Sequence, residues 1–239
     1  MSIPKVIHKV ILVDGFELPE LPEGMAKAVD TWRDMNPGYA MKMYSGNDCQ
    51  RYILEYFDQK TLDCFNKLKP YSYKCDLFRF LVLYNEGGWY SDMRQICMTP
   101  LDSLNQIGHE FYTSVDCPPN ERCMYTAFIG SVANHPILKK TIEIVKWNIE
   151  HEHYGLDCLY PTGPGAYMAG CIDYVRRHPE KCMIGRHISD RDGSEYVVIG
   201  KQIILKCKYN NAKGADNSDL KGGNDYGAMW RSWDVYSSG

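Results

Sequence analysis

The fold of this chain is decided by residues 74–102, which read KCDLFRFLVLYNEGGWYSDMRQICMTPLD. In the first part of this stretch, Asp76, Arg79 and Leu83 follow one another at spacings of three and four residues. Residues at those spacings share one face of an α-helix, so the pattern predicts a helix that carries a carboxylate beside a guanidinium. Two interpretations follow: an exposed ion pair of little energetic weight, or a pair that binds a polyhydroxylated, negatively charged ligand.

Two glycines interrupt the predicted helix and a strand follows them. Gly87 and Gly88 are expected to end the helix, because glycine adopts the left-handed conformation without a steric penalty. The strand is predicted to begin at Trp89 and to carry Asp92 at its end. In α/β proteins ligands bind beyond the carboxyl ends of strands, so Asp92 is a candidate ligand-binding residue.

The whole string D-x-x-R-x-x-x-L-x-x-x-G-G-x-Y-x-D-x-D resembles the signature of the sugar-binding DXD glycosyltransferases. That family includes fungal α-1,6-mannosyltransferases, capsular polysaccharide transferases and glucosylating bacterial toxins. The resemblance covers roughly the first half of the chain well and the second half weakly. The matching positions are Asp76, Arg79, Leu83, Gly87, Gly88, Tyr90 and Asp92.

The last motif position differs from the family pattern, because Arg94 stands where the second aspartate is expected. In the family, that aspartate binds Mn²⁺ or Mg²⁺ directly, whereas a guanidinium has donors and no acceptor and cannot hold a cation. Three alternatives therefore stay open. Asp92 and a carboxylate of the tail hold a weak metal site, or Arg94 binds the diphosphate itself, or the chain is a binding module without activity.

The resemblance also implies roles for residues outside the central stretch. Asp76 and Arg79 would recognise the donor sugar, and Tyr90 would lie beside the donor. The first strand would meet the nucleotide through His8 and Val10, although a histidine in such a strand is more often a core residue than a ligand contact. A turn with Thr162 and Gly163 would lie near the transferring sugar, and Ser232 and Trp233 would fold over the diphosphate.

The order of predicted elements indicates the fold class. A β-branched run from Lys5 to Val13 predicts a buried strand, and a helical pattern, an alternating strand and a second helix start follow it before residue 50. Strand, helix, strand, helix is typical of an α/β fold with a mostly parallel central sheet flanked by helices. The resemblance implies that this is a GT-A-type nucleotide-sugar-binding fold.

The chain is long enough, at 239 residues, for one domain with a substantial core. We expect residues 1–102 to form the nucleotide-sugar-binding half, and residues 103–239 to form the acceptor half and a C-terminal tail. The formal net charge of −3 argues against nucleic acid as a partner.

The sequence shows no pattern typical of a membrane segment, a secretion signal or a cysteine-based metal site. No apolar run of 18 residues and no signal peptide are visible, so the expected location is cytoplasmic or otherwise soluble, without a membrane anchor in this chain. The ten cysteines include no C-x-x-C pair, which favours free thiols and argues against a zinc site.

The expected activity is transfer of a hexose from a UDP- or GDP-type sugar to a glycan or glycoprotein acceptor, with retention of anomeric configuration as the resemblance implies. Asp76, Arg79 and Asp92 are the candidate catalytic residues, and Asp92 is the candidate ligand for Mn²⁺ or Mg²⁺. The alternative is a non-catalytic module that binds nucleotide sugars or carbohydrate. Alanine at Asp76 or Arg79 is expected to impair donor use and to leave the fold intact.

Overall fold

The structure is a computed structural model that describes residues 2–117, 120–211 and 220–237. Residues 212–219 of the expected C-terminal tail therefore lie outside the described part of the chain. The strands are β1 (Val6–Val10), β2 (Ala40–Tyr44), β3 (Gly88–Ser91), β4 (Ile96–Cys97), β5 (Phe111–Ser114), β6 (Phe128–Ser131), β7 (Cys182–Ser189), β8 (Glu195–Ile199) and β9 (Gln202–Lys206). The helices are α1 (Glu23–Met35), α2 (Gly46–Tyr56), α3 (Gln59–Lys67), α4 (Tyr71–Glu86), α5 (Asp102–Asn105), α6 (Pro136–Glu150), α7 (Pro164–Arg177), the 3₁₀ turn Pro179–Lys181, and α8 (Tyr226–Arg231).

The strands form one mixed sheet in the order β2-β1-β3-β6-β5-β7-β8-β9-β4. Among the described residues, the first six strands of this order run in one direction except β6, which is antiparallel to both of its neighbours. Beyond β7, the sheet continues as an antiparallel extension through β8, β9 and β4. The predicted α/β fold with a mostly parallel central sheet is thus confirmed.

Helix α4 lies at the centre of the larger hydrophobic core. Nearly every side chain from Tyr73 to Leu83 is buried, as expected for a helix covered on all sides. Phe78 and Leu81 belong to the same core cluster as Ile129 of β6. Asp76 and Arg79 are polar positions within this buried helix, and both are almost inaccessible to solvent.

Gly87 and Gly88 form the corner between α4 and β3. Their φ angles are +67° and +97°, a region that other residues enter only with strain. A Cβ at Gly88 would lie 2.5 Å from Val6 Cγ1 and 2.8 Å from the Val6 carbonyl oxygen. The corner therefore needs glycine for its conformation and for its close approach to β1.

The corner aligns the ends of two parallel strands. The register pairs His8 of β1 with Tyr90 of β3, so Val10 and Asp92 reach the same edge of the sheet. The predicted strand from Lys5 to Val13 ends earlier than expected, at Val10. Asp92 is the first residue after β3, where its backbone N–H donates to the Ala127 carbonyl at 3.0 Å.

In the ranges that the structure describes, no helix has the length and apolar character needed to cross a bilayer.

We expect Gly88→Ala to lower the free energy of unfolding by about 2 to 4 kcal/mol, because it adds left-handed strain to a clash with backbone. Gly38→Ala is the matched control, since a Cβ there meets no atom within 4 Å. Urea unfolding of both variants tests this expectation. Equal stability of the two variants would show that the corner tolerates a side chain.

Candidate active site

A cavity of about 670 Å³ opens at the edge of the sheet where β1 and β3 end. Several residues singled out from the sequence line it: Val10, Asp76, Arg79, Tyr90, Asp92, Arg94 and Gly163. Its opposite wall comes from the second half of the chain, and includes Asp116, Tyr125, Glu195, Cys207, Lys208 and Tyr226. Helix α4, the strand ends and the C-terminal segment therefore meet at one site.

Arg79 joins the polar groups in the floor of the cavity. Its Nη2 lies 3.3 Å from Asp76 Oδ1, and its Nη1 lies 3.3 Å from Asp92 Oδ1. The Nη1 also donates to the Thr126 carbonyl at 2.9 Å, and the guanidinium lies 4.6 Å from the centre of the Tyr90 ring. One buried cation thus links helix α4 to the strand end that carries Asp92.

This burial corrects two expectations from the sequence. The interpretation of Asp76 and Arg79 as an exposed pair is wrong, because both residues are at most 6% exposed. Removing one partner of a buried ion pair leaves the other charge uncompensated, which typically costs 3 to 5 kcal/mol. Arg79→Ala is therefore expected to destabilise the fold as well as the site, and it is a poor probe of donor binding alone.

Asp76 connects α4 to the turn that precedes α7. Its Oδ2 accepts a hydrogen bond from Thr162 Oγ1 at 3.0 Å. At Gly163, an added Cβ would lie 3.0 Å from that same Oδ2, so glycine leaves room beside the carboxylate. Burial raises the pKa of Asp76 to about 6, although Arg79 and the Thr162 hydroxyl oppose this shift. Asp76 is therefore a carboxylate whose charge state is poised near neutral pH.

Asp92 has a more open position. Its side chain is 41% exposed, and its Oδ1 accepts a hydrogen bond from Tyr90 Oη at 2.8 Å. Because Arg79 and Tyr90 both contact Oδ1, the carboxylate is held from one side and remains partly accessible from the cavity. Asp92 is thus able to bind a ligand without giving up its fixed orientation.

The donor set at Asp92 fits a metal that shares its coordination with substrate. Among the described residues, no group of three or more His, Cys, Asp and Glu side chains is arranged to hold an ion. Mg²⁺ and related cations, however, commonly take one or two protein carboxylates together with phosphate oxygens and water. The exposed face of Asp92 supplies one such carboxylate, whereas Arg94, also in the cavity wall, brings positive charge to the same edge.

Lys9, Ser91 and Gln95 form hydrogen bonds around the end of β3 that carries Asp92, and the sequence analysis did not predict this. Lys9 is fully buried, and its Nζ donates to the Ser91 carbonyl, to Ser91 Oγ and to the Asp92 carbonyl at 3.1 to 3.3 Å. Ser91 and Gln95 continue this polar chain into the protein. A lysine inside the β-branched run of β1 was the available signal, because lysine is rarely buried without partners.

His8 is a core residue and does not line the cavity. Its Nδ1 lies 3.1 Å from Tyr44 Oη and its Nε2 lies 3.0 Å from the Gly87 carbonyl. Burial lowers its pKa to about 4, so the ring is neutral at neutral pH. The expectation that His8 contacts the nucleotide is therefore wrong. Alternation along β1 turns its side chain inward, while the strand end at Val10 reaches the cavity.

Ser232 and Trp233 also lie away from the cavity lining. Ser232 Oγ donates to the Ala228 carbonyl at the end of α8. The Trp233 ring contacts Tyr154 at a centroid distance of 4.4 Å and is 74% exposed. Both residues are exposed beyond the end of α8, and their contact with a diphosphate stays a prediction.

Another part of the same tail does reach the cavity. Asn224 and Tyr226 line it, and the Tyr226 ring packs 5.7 Å from the Tyr73 ring of α4. Asn224 accepts a hydrogen bond from the Tyr71 N–H at 2.9 Å and donates to the Lys69 carbonyl at 3.1 Å. These bonds attach the C-terminal segment to the start of α4 and so close one side of the cavity.

The comparison with protein families agrees with this site. Residues 22–112 match the family model described as the glycosyltransferase sugar-binding region containing a DXD motif. This range contains Asp76, Arg79, Asp92 and the corner between α4 and β3. The match covers 91 of the 239 residues, so this part of the chain is similar to the sugar-binding region of that glycosyltransferase family.

The curated relatives of this chain are distant in sequence. An uncharacterized glycosyltransferase of Acanthamoeba polyphaga mimivirus is 27% identical over 177 residues, which cover 74% of this chain and 68% of that protein. The inositol phosphoceramide mannosyltransferase 2 of Schizosaccharomyces pombe is 26% identical and the initiation-specific α-1,6-mannosyltransferase of Candida albicans is 27% identical, with 78% and 67% of this chain covered. The chain spans about half the length of these two fungal relatives.

Solved structures support the fold. The PaToxG glycosyltransferase superposes with a TM-score of 0.55 at 18% identity, over 73% of this chain and 70% of that chain. The UDP-bound glycosyltransferase domain from the YGT toxin superposes with a TM-score of 0.54 at 8% identity, over 90% and 82%. The sheet and its helices are therefore arranged as in toxin glycosyltransferases.

The poised charge of Asp76 leads to a pH-dependence for sugar binding. An ionised Asp76 would accept hydrogen bonds from sugar hydroxyls, and protonation below its pKa of about 6 would weaken that binding. We expect the affinity for a nucleotide sugar to fall about tenfold between pH 7 and pH 5. Calorimetry at both pH values measures it, with Asp76→Asn as the control that should lack this change. An equal pH dependence in Asp76→Asn would assign the titration to another group.

Proposed function

We propose that this chain transfers a hexose from a UDP- or GDP-type nucleotide sugar to a hydroxyl of a glycan or glycoprotein acceptor, with retention of anomeric configuration. The observation that carries the proposal is the bridge that Arg79 makes between Asp76 and Asp92 in the floor of the cavity. It combines a site for sugar hydroxyls with a carboxylate at the strand end, within one cavity of suitable size for such a donor.

Recognition of the donor sugar is assigned to Asp76 and Arg79. A buried carboxylate and a buried guanidinium form paired hydrogen bonds with vicinal hydroxyls, and a ligand without those hydroxyls would leave both groups unsatisfied. The Thr162 hydroxyl fixes the carboxylate from the other side at 3.0 Å. We therefore expect discrimination between sugars to depend mainly on this pair.

The diphosphate is assigned to the strand end and its surroundings. Asp92 would hold Mn²⁺ or Mg²⁺ together with phosphate oxygens, and the bound cation would neutralise the charge that develops on the leaving diphosphate. Arg94 lines the same cavity, so its guanidinium would add a positive charge to that of the bound cation. We favour a weak metal site at Asp92 beside Arg94, because the remaining motif positions match.

The solved structures and the curated relatives offer support for the nucleotide and for the sugar of the donor, respectively. The YGT toxin domain is described as UDP-bound, which favours a uridine nucleotide. Several curated relatives are mannosyltransferases, which favours a hexose. We propose that residues 1–102 supply most donor contacts and the remainder the acceptor side, although Gly163 and Tyr226 of the second half also line the cavity.

A binding module without activity is the second candidate, and the arginine at position 94 is the observation that favours it. Donor turnover separates the two candidates directly. Release of nucleoside diphosphate from a nucleotide sugar, with the product anomer read by NMR, would establish transfer or hydrolysis and its stereochemistry. Binding of the donor without release of product under any metal condition would favour the module.

We expect Asp92→Asn to abolish turnover while it leaves the fold intact, because this half-exposed carboxylate contributes more to the ligand than to the core. Thermal-shift screening first identifies the nucleotide sugar, since a ligand at 100 times its Kd stabilises the fold by about 2.7 kcal/mol. Asp173→Asn, at an exposed position of α7, is the matched control. Full turnover by Asp92→Asn would remove Asp92 from the mechanism.

Reversing the charge at position 94 tests what holds the diphosphate. Without metal, Arg94→Asp should weaken donor binding by about 1.5 to 3 kcal/mol, the contribution of a charge-assisted hydrogen bond. Added Mn²⁺ should recover part of the loss through the new carboxylate beside Asp92. Calorimetry with and without chelator measures both effects. Wild-type turnover that ignores chelator and added Mn²⁺ alike would contradict the metal assignment.

A further inference from the structure

The buried amino group of Lys9 begins a chain of hydrogen bonds. Its Nζ lies 3.1 to 3.3 Å from three oxygens, those of the Ser91 carbonyl, the Ser91 hydroxyl and the Asp92 carbonyl. Its other close neighbour is the Trp32 ring, 4.8 Å away. Ser91 Oγ accepts from Lys9 at 3.1 Å, and its single hydroxyl hydrogen has two acceptors within reach, Gln95 Oε1 at 2.8 Å and the Asp92 carbonyl at 3.4 Å.

The next two links follow from that constraint. Ser91 Oγ donates to Gln95 Oε1 at 2.8 Å, so the amide oxygen of Gln95 faces Ser91. The amide nitrogen then faces the other way, and Gln95 Nε2 donates to Tyr125 Oη at 3.0 Å. Heavy-atom positions alone leave the orientation of an amide ambiguous, and here the 2.8 Å bond from Ser91, shorter than its 3.4 Å contact with the Asp92 carbonyl, favours the amide oxygen on the Ser91 side.

Tyr125 is where the chain meets the cavity. Its ring lines the wall close to Cys207, and its oxygen is already occupied as an acceptor from Gln95. The hydroxyl hydrogen is therefore directed away from Gln95. In the ligand-free protein this hydrogen is donated to the neighbouring Cys207 sulfur, which is a weak acceptor. An oxygen of a bound ligand would be a much better partner for that hydrogen.

We propose that Tyr125 donates a hydrogen bond from its hydroxyl to an oxygen of the ligand in the cavity, and that Lys9, Ser91 and Gln95 are positioning residues that set this direction. The identity of the ligand rests on the proposed function, whereas the direction of the bonds does not. Two ligand oxygens have the required chemistry: one on the diphosphate of the donor and one on the incoming acceptor.

Gln95→Glu is the sharpest test, because it keeps the shape of the side chain and reverses one bond. An ionised carboxylate in place of this amide can only accept, so the Tyr125 hydroxyl would turn toward it and away from the ligand. We expect Gln95→Glu and Tyr125→Phe to lose the same factor, about tenfold, and the double variant to lose no more than either. Gln106→Glu and Tyr56→Phe, both exposed, are the matched controls.

Two measurements assign the ligand oxygen. A loss in the affinity for UDP or GDP in calorimetry places the hydrogen bond on the diphosphate. Unchanged nucleotide affinity with slower turnover of the nucleotide sugar places it on the acceptor, or on water in its position. Wild-type values for Tyr125→Phe in both measurements would overturn the proposal, as would additive losses in the double variant.

A spectroscopic readout separates this inference from the proposed function. The ¹³Cζ resonance of Tyr125, assigned by its absence in Tyr125→Phe, should shift in ligand-free Gln95→Glu because the hydroxyl changes its donor direction. If Gln95→Glu fails to fold, Lys9→Met takes its place. This variant removes the amino group at similar volume and should shift the same resonance. An unmoved resonance in the folded variant would overturn the inference. Failure of the wild type to bind or turn over any nucleotide sugar would instead overturn the proposed function.

Discussion

The site depends on one buried cation, the guanidinium of Arg79. It lies within 3.3 Å of a carboxylate on its own helix and of a carboxylate at a strand end, and it is nearly inaccessible to solvent. Desolvation of such a group costs several kcal/mol, which pairing with carboxylates and a backbone carbonyl offsets. The same contacts fix the relative position of Asp76 and Asp92, so the ion pairs orient a binding site more than they stabilise a fold.

The scaffold makes this arrangement possible by bringing a fully buried helix to the edge of the sheet. Helix α4 enters the core with Asp76 and Arg79 already side by side, and the glycine corner returns the chain into β3 within two residues. The register between β1 and β3 then sets Asp92 level with Val10. Short connections and a fixed register therefore convert a local sequence pattern into a three-dimensional site.

The spacing of residues in the sequence correctly predicted those features that depend on local backbone geometry. The helix, the glycine corner and the place of Asp92 at the end of β3 follow from spacing and from glycine, and the structure confirms them. His8 was misplaced, and Ser232 and Trp233 lie outside the cavity lining, because these positions depend on which way a strand or helix end faces. The hydrogen-bond chain from Lys9 to Tyr125 was also not predicted, because its contacts join residues far apart in sequence. Lys9 lies 83 residues before Asp92, and Gln95 lies 30 residues before Tyr125.

The central claim is that the cavity floored by Asp76, Arg79 and Asp92 binds a nucleotide sugar. A crystal structure with the nucleotide sugar that gives the largest thermal shift, in the presence of Mn²⁺, tests it most directly. We expect the sugar hydroxyls to lie within hydrogen-bond distance of Asp76 and Arg79, and the diphosphate to lie next to Asp92. A ligand bound elsewhere, or one with its sugar remote from Asp76 and Arg79, would contradict it.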